Sequence, residues 1–330
     1  MVTRMVNMST TKRRLIWSLI LLATLAALAR LRQEVLLVPR VRVGPLHADL
    51  PAKPRMRFFA LGDTGTGGPE QLQVAKAMNA RCRELGGIDG ILLLGDNAYP
   101  IGVSSVRDQQ WQDKVLGPYS SDCLGQARVY PVLGNHDYKD NPTAQIEYSL
   151  IEPRWYLPNR FYSVNFGNLL KLVALDSNVS EVCFNPAFCG IDFMHENLSK
   201  ADTTWTIVMA HHPIASSSDR GFYYQGGLRG VWLRPYLCNR TDFYLSGHSH
   251  HLEHLHPDEC QMDIFVAGGG GANLNQPLSP AHEASRFARS AHGFLDLEFS
   301  PEMVNARFVA GDGTELYSIT KQPISKGSSN

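Results

Sequence analysis

Short runs of apolar residues alternate along this chain with polar loops and with stretches of helical period. The run 57–61 ends in the polar loop Gly62-Asp63-Thr64-Gly65, and a helix-period stretch follows to about residue 84. Continuous apolar strands that alternate with helices are typical of a parallel sheet buried on both faces. Further apolar runs lie at 91–94, 129–133, 169–175, 205–209 and 243–245. The pattern therefore predicts an α/β fold with a parallel sheet.

From residue 161 onward the apolar runs resemble antiparallel hairpins. Examples are the run 294–299 and the segment 304–317, which turns at Gly311-Asp312-Gly313,. Polar clusters follow the strands from residue 63 to residue 250, and they must converge on one place if they act together. We therefore expect one folded domain over residues 55–322 and a flexible tail at 323–330.

The first 54 residues differ in pattern from the rest. Residues 1–14 carry four basic side chains and no acid, and residues 15–29 carry no charge and are almost wholly apolar. This order is typical of an export signal. If the segment is not cleaved, residues 15–29 would form a membrane anchor. The anchor would be short, since a full span normally needs about 20 residues. Residues 30–54 contain four prolines, which indicates a linker or an extended entry strand.

Composition excludes some classes of function. The chain has 330 residues, of which 44% are hydrophobic and 19% charged, with 31 basic and 31 acidic residues. Such a chain can bury a sizeable core and is not a disordered polyelectrolyte. Its zero formal charge gives no electrostatic reason to expect a nucleic acid as partner. Contact with a membrane is expected only through the N-terminal segment, if that segment is not cleaved.

Six cysteines are an even number in a chain that we expect to be secreted, periplasmic or lumenal, where disulfides are permitted. The count allows many pairings. Cys183–Cys189 and Cys238–Cys260 are the pairs closest in sequence, which leaves Cys82–Cys123. The alternative, that some cysteines are small buried hydrophobes, stays open at this point.

Residue types that bind metals or transfer protons follow the apolar runs in a fixed order. The blocks are Asp-x-Gly, Gly-Asp-x-x-Tyr, Gly-Asn-His-Asp, Val-x-x-His and Gly-His-x-His. A lone histidine is more often structural than a ligand, but this ordered set is hard to obtain by accident. Carboxylate, phenolate, amide and imidazole groups together suit iron, manganese and zinc. The candidate residues are Asp63, Asp96, Tyr99, Asn135, His136, His211, His248 and His250.

With these blocks the chain resembles the calcineurin-like metallophosphoesterase superfamily and, within it, the purple, tartrate-resistant type of acid phosphatase. The resemblance spans residues 57–320 and includes the segment 95–103, Ala144-Gln145-Ile146-Glu147-Tyr148 and Arg154-Trp155. Tyr99 is the most discriminating residue, because a tyrosinate binds ferric iron in purple phosphatases. The resemblance implies a four-layer α/β/β/α sandwich with two mixed β-sheets.

The resemblance also implies a role for each candidate ligand at a centre of two metal ions. A ferric ion, Fe3+, would be held by Asp63, Tyr99 and His250. A divalent ion, which would be Fe2+, Zn2+ or Mn2+, would be held by Asn135, His211 and His248. Asp96 would bridge the two ions.

Three further residues would act on the substrate. His136 resembles the residue that donates a proton to the leaving alcohol, so that a general acid is present without recruiting a carboxylate. Asn135 and Arg220 would contact the substrate. Arg220 stands where the relatives often place another active-site histidine; a guanidinium cannot serve as a general acid, but it can clamp phosphate. The alternative is a solvated loop arginine paired with Asp219.

The expected function is that of an exported phosphomonoesterase, an acid phosphatase in which metal-activated hydroxide attacks a small-molecule phosphate ester or a phosphoprotein. Two alternatives remain open. One is a phosphodiesterase of the same superfamily, since the same two-metal core serves both reactions. The other is a non-catalytic interaction protein on this fold.

The remaining histidines and a glycine run receive supporting roles. His212, His251, His254 and His256 are expected behind the ligands or at the surface, and the alternation of 252–256 predicts a strand. The run Gly268-Gly269-Gly270-Gly271 lacks the Gly-Lys-Ser/Thr ending of a nucleotide-binding loop,. It is therefore predicted to form a tight turn or a wall of the cleft.

Overall fold

The computed structural model describes residues 41–178, 190–199, 202–222, 224–279 and 281–323. The predicted signal or anchor at 1–29 and the predicted pair Cys183–Cys189 lie outside the described residues, as does nearly all of the predicted tail. Within the described ranges, no helix combines the length and the apolar character that a membrane span requires.

The described residues form fourteen strands and four α-helices. The helices are α1 (Pro69–Glu84), α2 (Pro142–Glu147), α3 (Ile191–Leu198) and α4 (Gly227–Leu237). The first seven strands are β1 (His47–Leu50), β2 (Met56–Leu61), β3 (Gly90–Leu93), β4 (Arg128–Pro131), β5 (Tyr162–Phe166), β6 (Leu170–Ala174) and β7 (Trp205–Met209). The others are β8 (Phe243–Ser246), β9 (Leu252–Leu255), β10 (Asp263–Ala267), β11 (Ser285–Arg289), β12 (Gly293–Phe299), β13 (Val304–Ala310) and β14 (Glu315–Lys321).

The strands form two mixed sheets. The large sheet has eight strands in the order β1-β5-β6-β7-β8-β10-β9-β11, with β6, β7, β8 and β10 parallel. The small sheet has six strands in the order β14-β13-β12-β2-β3-β4, with β2, β3 and β4 parallel and the others antiparallel. The parallel strands of each sheet carry the polar clusters that the sequence indicated.

Aromatic side chains fill the space between the sheets. The ring of Phe58 in the small sheet lies 5.2 Å from that of Phe166 in the large sheet, between ring centroids. Phe265 and Phe308 meet in the same way at 5.7 Å. Burial of such rings stabilises the sandwich through apolar area and through their offset geometry.

Helices cover the outer faces of the two sheets. Buried residues of α1, among them Met78, belong to the core of the small sheet. Phe193 and Leu198 of α3 pack into a second core with Val208 of the large sheet. The order of layers is helix, sheet, sheet, helix, so the predicted four-layer sandwich with two mixed sheets is confirmed.

The predicted strands are present. Their ends differ from the prediction by at most two residues, except in the last hairpin, where β14 runs to Lys321, four residues beyond the predicted end. Within the segment 30–54, β1 pairs in parallel with β5, as an extended entry strand would. Disulfides join Cys82 to Cys123 and Cys238 to Cys260. They confirm that disulfides form and select two pairs among those that the sequence left open. The first ties α1 to the loop before β4, and the second ties the end of α4 to the loop before β10.

A polar cluster ties the large sheet to the C-terminal strand of the small sheet; we name it the Asp263 clamp. Its members are His254, His256, Asp263, Tyr317 and Lys321. Asp263 Oδ1 lies 2.9 Å from His254 Nε2 and 2.7 Å from His256 Nδ1, and Asp263 Oδ2 accepts from Lys321 Nζ at 2.7 Å. His254 Nδ1 lies 2.9 Å from the Tyr317 hydroxyl. The strand predicted at 252–256 is β9, which ends at Leu255. The clamp shows that His254 is a structural histidine.

Candidate metal centre

The loops that follow five parallel strands bring the candidate residues together. These loops follow β2, β3, β4, β7 and β8. In an open α/β sheet, ligands bind beyond the carboxyl ends of parallel strands, because the loops there converge. The residues so placed are Asp63 after β2, Asp96 and Tyr99 after β3, Asn135 and His136 after β4, His211 after β7, and His248 and His250 after β8.

The backbone of these loops adopts conformations that side chains rarely take. Asp63, Asp96 and His248 have φ values of 59°, 52° and 64°, in the left-handed region that favours glycine,. Gly95 has φ 87°, and a Cβ atom there would lie 2.6 Å from His211 Nδ1. The loops can therefore approach one another only with glycine at Gly95 and with strained ligands beside it.

One group of donor atoms surrounds Tyr99. Its hydroxyl donates to Asp96 Oδ2 at 2.7 Å and lies 3.1 Å from Asp63 Oδ1 and 3.3 Å from His250 Nε2. His250 Nε2 also lies 3.3 Å from Asp63 Oδ1. The Nδ1 atom of His250 faces the Asn273 carbonyl at 2.7 Å, so Nε2 is the nitrogen that faces the group.

A second group of donor atoms surrounds His211. Its Nε2 atom lies 3.2 Å from Asn135 Oδ1, 3.2 Å from His248 Nδ1 and 3.5 Å from Asp96 Oδ1. The Nδ1 atom of His211 faces the Leu94 carbonyl at 2.8 Å, which directs Nε2 into the group,. Asp96 thus presents one carboxylate oxygen to each group.

The carboxylates of the two donor groups are buried, and no basic side chain of the described residues neutralises them. Asp63 is fully buried and Asp96 is 1% exposed. Among the described residues, no lysine or arginine pairs with either carboxylate; the pairs are with histidines. Burial and then the carboxylates of Asp63 and Asp96 raise the pKa of the Tyr99 hydroxyl far above its usual value. Burial raises the pKa of Asp63, but the nearby His250 and His211 outweigh it and lower that pKa.

The donor set fits metal ions. The ligand atoms of Asp63, Asp96 and His211 all lie within 4.8 Å of one another, and all three residues are buried. Donors 3.1 to 3.5 Å apart are spaced as ligands of a common ion are when each bond is about 2.0 to 2.2 Å long. Buried carboxylates that lack a cation are costly unless an ion compensates them. The arrangement can therefore hold two cations that share Asp96.

His136 lies at the edge of this centre. Its Nδ1 atom is 2.6 Å from the Pro100 carbonyl, and its Nε2 atom is 4.0 Å from Asp96 Oδ2. Asp137 does not contact the His136 ring: its buried carboxylate accepts main-chain N–H groups of Gly134 and Asn97. Burial and then Asp96 raise the pKa of Asp137 to about 7, against these hydrogen bonds.

Arg220 is exposed at the rim of the centre. Its guanidinium carbon lies 5.5 Å from the centroid of the Tyr224 ring. The Tyr224 ring in turn stacks on the His248 imidazole, with centroids 4.4 Å apart and an interplanar angle of 10°. Burial lowers the pKa of the His250 imidazole, but the Asp63 carboxylate outweighs it and raises that pKa overall. The positive charge of Arg220 is a smaller influence that lowers the pKa of His250. Between Arg220 and Asp219 no ion pair forms among the described residues.

Sequence reasoning did not name two contributors to this site. Tyr224 stacks on a candidate ligand, and Lys139 lies beside His136. His212, expected behind the ligands or at the surface, is fully buried against His211 and His248, and the three imidazoles could themselves hold an ion. The glycine run forms a wall of the site, as predicted, because Gly270 N donates to the Gly62 carbonyl. A doubled histidine after a buried strand was the available signal for His212; Tyr224 and Lys139 gave none.

Comparison with known proteins places these observations in a family. The family model for calcineurin-like phosphoesterases matches residues 56–252. Tartrate-resistant acid phosphatase type 5 of Homo sapiens is 29% identical over 319 residues, which cover 86% of this chain and 94% of that protein. Purple acid phosphatase 3 of Arabidopsis thaliana is 29% identical over 269 residues, which cover 74% of this chain and 71% of that protein.

Solved structures share the fold. GAP50, described as the anchor in the inner membrane complex of Plasmodium, superposes with a TM-score of 0.73 at 23% identity, over 84% of this chain and 91% of that chain. Purple acid phosphatase PPD1 from yellow lupin (Lupinus luteus) seeds superposes with a TM-score of 0.65 at 18% identity, over 82% of this chain and 54% of that chain. Taken with the family match across β2 to β9, the five loops with their buried donors make this chain a member of the calcineurin-like phosphoesterase family.

Proposed function

We propose that this protein is a metal-dependent phosphomonoesterase of the acid phosphatase type. The observation that carries the proposal is the position of Asp96, whose two carboxylate oxygens face two separate groups of donor atoms. A shared carboxylate is how two ions are held about 3.5 to 4 Å apart in phosphatases. The tartrate-resistant and purple acid phosphatases among the relatives support the same reaction class.

Each donor group would hold one ion. The group around Tyr99, with Asp63 and His250, has the phenolate and carboxylate oxygens that suit Fe3+. The group around His211, with Asn135 and His248, suits Fe2+, Zn2+ or Mn2+. When bound, the two ions would make water nucleophilic and neutralise charge on the phosphoryl group. Tyr99 would bind as the phenolate, since a cation reverses the influence of the neighbouring carboxylates on its pKa.

His136 is proposed as the proton donor to the leaving alcohol. Its Nδ1 atom faces the Pro100 carbonyl and so carries a hydrogen, which leaves Nε2 directed toward Asp96 and the donor groups,. A group that protonates the leaving oxygen must lie within hydrogen-bond reach of it. The position of Nε2, 4.0 Å from Asp96 Oδ2, supports this role for a phosphoryl group held between the two donor groups.

Asn135 and Arg220 are proposed to contact the phosphoryl group. Asn135 directly precedes His136 in the chain, and its Oδ1 atom faces His211 Nε2. Its amide nitrogen can therefore donate to a phosphate oxygen. The exposed guanidinium of Arg220 lies over Tyr224 at the rim and can donate paired hydrogen bonds to phosphate. Substrates would be small phosphate esters or phosphoproteins that reach this rim.

A non-catalytic role on this fold is a weaker reading. The anchor protein GAP50 has the higher TM-score of the two structures described, so the fold by itself does not establish catalysis. The seven donors converge in two groups, however, and an interaction surface needs no such buried set.

Export is proposed from the N-terminal signal pattern and from the two disulfides, which persist in oxidising compartments.

The proposal is tested by purifying the protein and measuring metal content, visible absorption and hydrolysis of phenyl phosphate against diphenyl phosphate. We expect two metal ions per chain, a broad tyrosinate-to-iron band that Tyr99→Phe removes, and faster hydrolysis of the monoester. Activity with two zinc or manganese ions and no colour would refute the iron assignment alone. Faster hydrolysis of the diester would make the protein a phosphodiesterase, and absence of bound metal would refute the proposal.

A further inference from the structure

The ammonium group of Lys139 lies against the imidazole ring of His136. Its Nζ atom lies 3.0 Å from Nδ1 and 3.1 Å from Nε2 of the His136 imidazole. Its main-chain N–H donates to the His136 carbonyl at 3.1 Å, across the helical turn Asp137–Lys139. The ammonium is thus almost equally distant from the two ring nitrogens. It lies beside the imidazole whose Nε2 atom is proposed to face the leaving group.

Hydrogen bonds to the Asp137 carboxylate hold the turn that carries Lys139 in place. The Asp137 carboxylate is fully buried and accepts from Gly134 N at 2.8 Å, from Asn97 N at 3.1 Å and from Gln145 Nε2 at 2.8 Å. These bonds tie the turn to the loop after β3 and to α2. The Cα atom of Lys139 therefore has a fixed place relative to the metal centre, although its side chain is exposed.

Lys139 differs from Lys53, Lys171 and Lys321 in having no carboxylate partner among the described residues. Lys53, Lys171 and Lys321 form ion pairs at 2.6, 2.5 and 2.7 Å with aspartates. Among the described residues no carboxylate pairs with Lys139. A lysine that has no anionic partner and lies at the edge of a site for anionic substrates is available to bind an anion.

The position of Lys139 makes an anion on the leaving alcohol favourable. Its Nζ atom lies beside the imidazole that is proposed to protonate the leaving oxygen. A carboxylate or phosphate a few bonds away on the same leaving group can accept a charge-assisted hydrogen bond from it. Ile101, which follows Pro100 and is 49% exposed, offers an apolar surface next to it for the body of the leaving group.

We propose that Lys139 recognises a second anionic group, a carboxylate or a phosphate, carried by the leaving group of the substrate. The inference rests on the proposed function, because it takes the leaving group to lie against His136 Nε2. The preferred substrates are then phosphate monoesters whose alcohol is itself anionic, and Lys139 determines that preference while Arg220 serves the phosphoryl group.

The test compares phenyl phosphate with 4-carboxyphenyl phosphate and with a phenyl phosphate that carries a ring phosphonate. The quantity is the ratio of kcat/KM for each anionic ester to that for phenyl phosphate. We expect Lys139→Ala to lower the ratio about tenfold, the effect of losing one charge-assisted hydrogen bond, and Lys139→Arg to restore most of it. The larger loss identifies carboxylate or phosphate as the preferred anion. Lys76→Ala, at an exposed position of α1, is the matched control.

Binding of non-hydrolysable ligands supplies a second readout. Benzylphosphonate and 4-carboxybenzylphosphonate are titrated calorimetrically into the wild-type protein and the variants. Lys139→Ala should weaken binding of the carboxylated ligand alone, whereas Arg220→Ala should weaken both ligands equally. Equal losses for both ligands in Lys139→Ala would assign Lys139 to the phosphoryl group, and no loss for either would assign it to solvent; both results overturn the proposal. If no ester is hydrolysed, the proposed function fails, while the two titrations still decide the role of Lys139.

Discussion

The candidate metal centre and the Asp263 clamp are built from the same side-chain types, and they compensate their buried carboxylates in different ways. In the clamp, Asp263 pairs with Lys321 at 2.7 Å and with two histidines. In the centre, Asp63 and Asp96 face histidines and Tyr99 but no lysine or arginine of the described residues. The clamp contains its own cation, whereas the centre needs cations from solution.

The titration behaviour of the two regions reflects this difference. In the clamp, the hydrogen bond from His254 and the charge of Lys321 outweigh burial and lower the pKa of Asp263 to about 2. In the centre, the pKa of Tyr99 rises because burial and two carboxylates oppose its ionisation. In this chain the cluster that a lysine completes is the structural one, and the cluster that no basic side chain of the described residues completes is the one proposed to hold metal ions.

The largest expected effect comes from removing the shared carboxylate. Asp96→Ala should release both ions and lower phosphatase activity by about 10⁴-fold or more, beyond the loss of a single proton donor. Metal analysis and kcat/KM on phenyl phosphate measure the two effects. Asp96→Asn serves as the control for the backbone, because asparagine tolerates the left-handed conformation found there,. Retention of one tightly bound ion in Asp96→Ala would contradict the bridging role.

A smaller loss is expected from His136→Ala, which leaves the donor groups intact. We expect kcat for alkyl phosphates to fall by about 10²- to 10⁴-fold, the usual contribution of a general acid. Metal content should stay at the wild-type value, since His136 belongs to neither donor group. The loss should shrink for 4-nitrophenyl phosphate, whose leaving group needs little protonation. Equal losses on both substrates would show that His136 acts in another way.

The smallest effect on activity is expected in the clamp. Asp263→Asn should lower the free energy of unfolding by about 2 to 3 kcal/mol, because it removes a buried charge and leaves Lys321 without its partner. The kcat and the metal content of the folded variant should match the wild type. Urea unfolding at pH 7 and steady-state kinetics measure both. A loss of bound metal at unchanged stability would mean that the two regions are not independent.

The pH dependence of stability sharpens the same comparison. The pKa of Asp263 is lowered from 3.8 to about 2 in the folded protein, so its contribution is present above about pH 4 and is lost as pH falls toward 2. At about 1.4 kcal/mol per pKa unit, this group accounts for about 2 kcal/mol. The stabilities of wild type and Asp263→Asn should therefore converge as pH falls to about 2. Parallel curves would indicate that another group governs acid unfolding.

The sequence predicted most of the fold and the donor set because both depend on local pattern. A buried parallel strand is a continuous apolar run, and a ligand at its end is the first polar residue after that run, as at Asp63 and Asp96. The sequence indicated disulfides but left their pairing open, and the structure shows Cys82 joined to Cys123. The function class followed from the order of five blocks, which no single residue establishes.

The rest depends on contacts between segments far apart in sequence. Tyr224 reaches His248 across 24 positions, and an aromatic residue in a loop shows no periodicity. Lys139 lies in a polar stretch where a lysine is common, and its position follows only once Asp137 fixes the turn. The large sheet also departs from chain order, because β9 pairs between β10 and β11, and strand order is not encoded in hydrophobic pattern.

The left-handed backbone at Asp63, Asp96 and His248 has a consequence for selection. Each such residue destabilises the fold by about 1 kcal/mol or more, and glycine or asparagine would relieve the strain and, at the aspartates, the buried charge. Improved stability and loss of catalysis therefore arise from the same substitutions. A screen of this protein for heat resistance alone, in the absence of metal, would enrich folded and inactive variants at these three positions. An engineering campaign must select for activity in every round and seek its stability elsewhere in the two sheets.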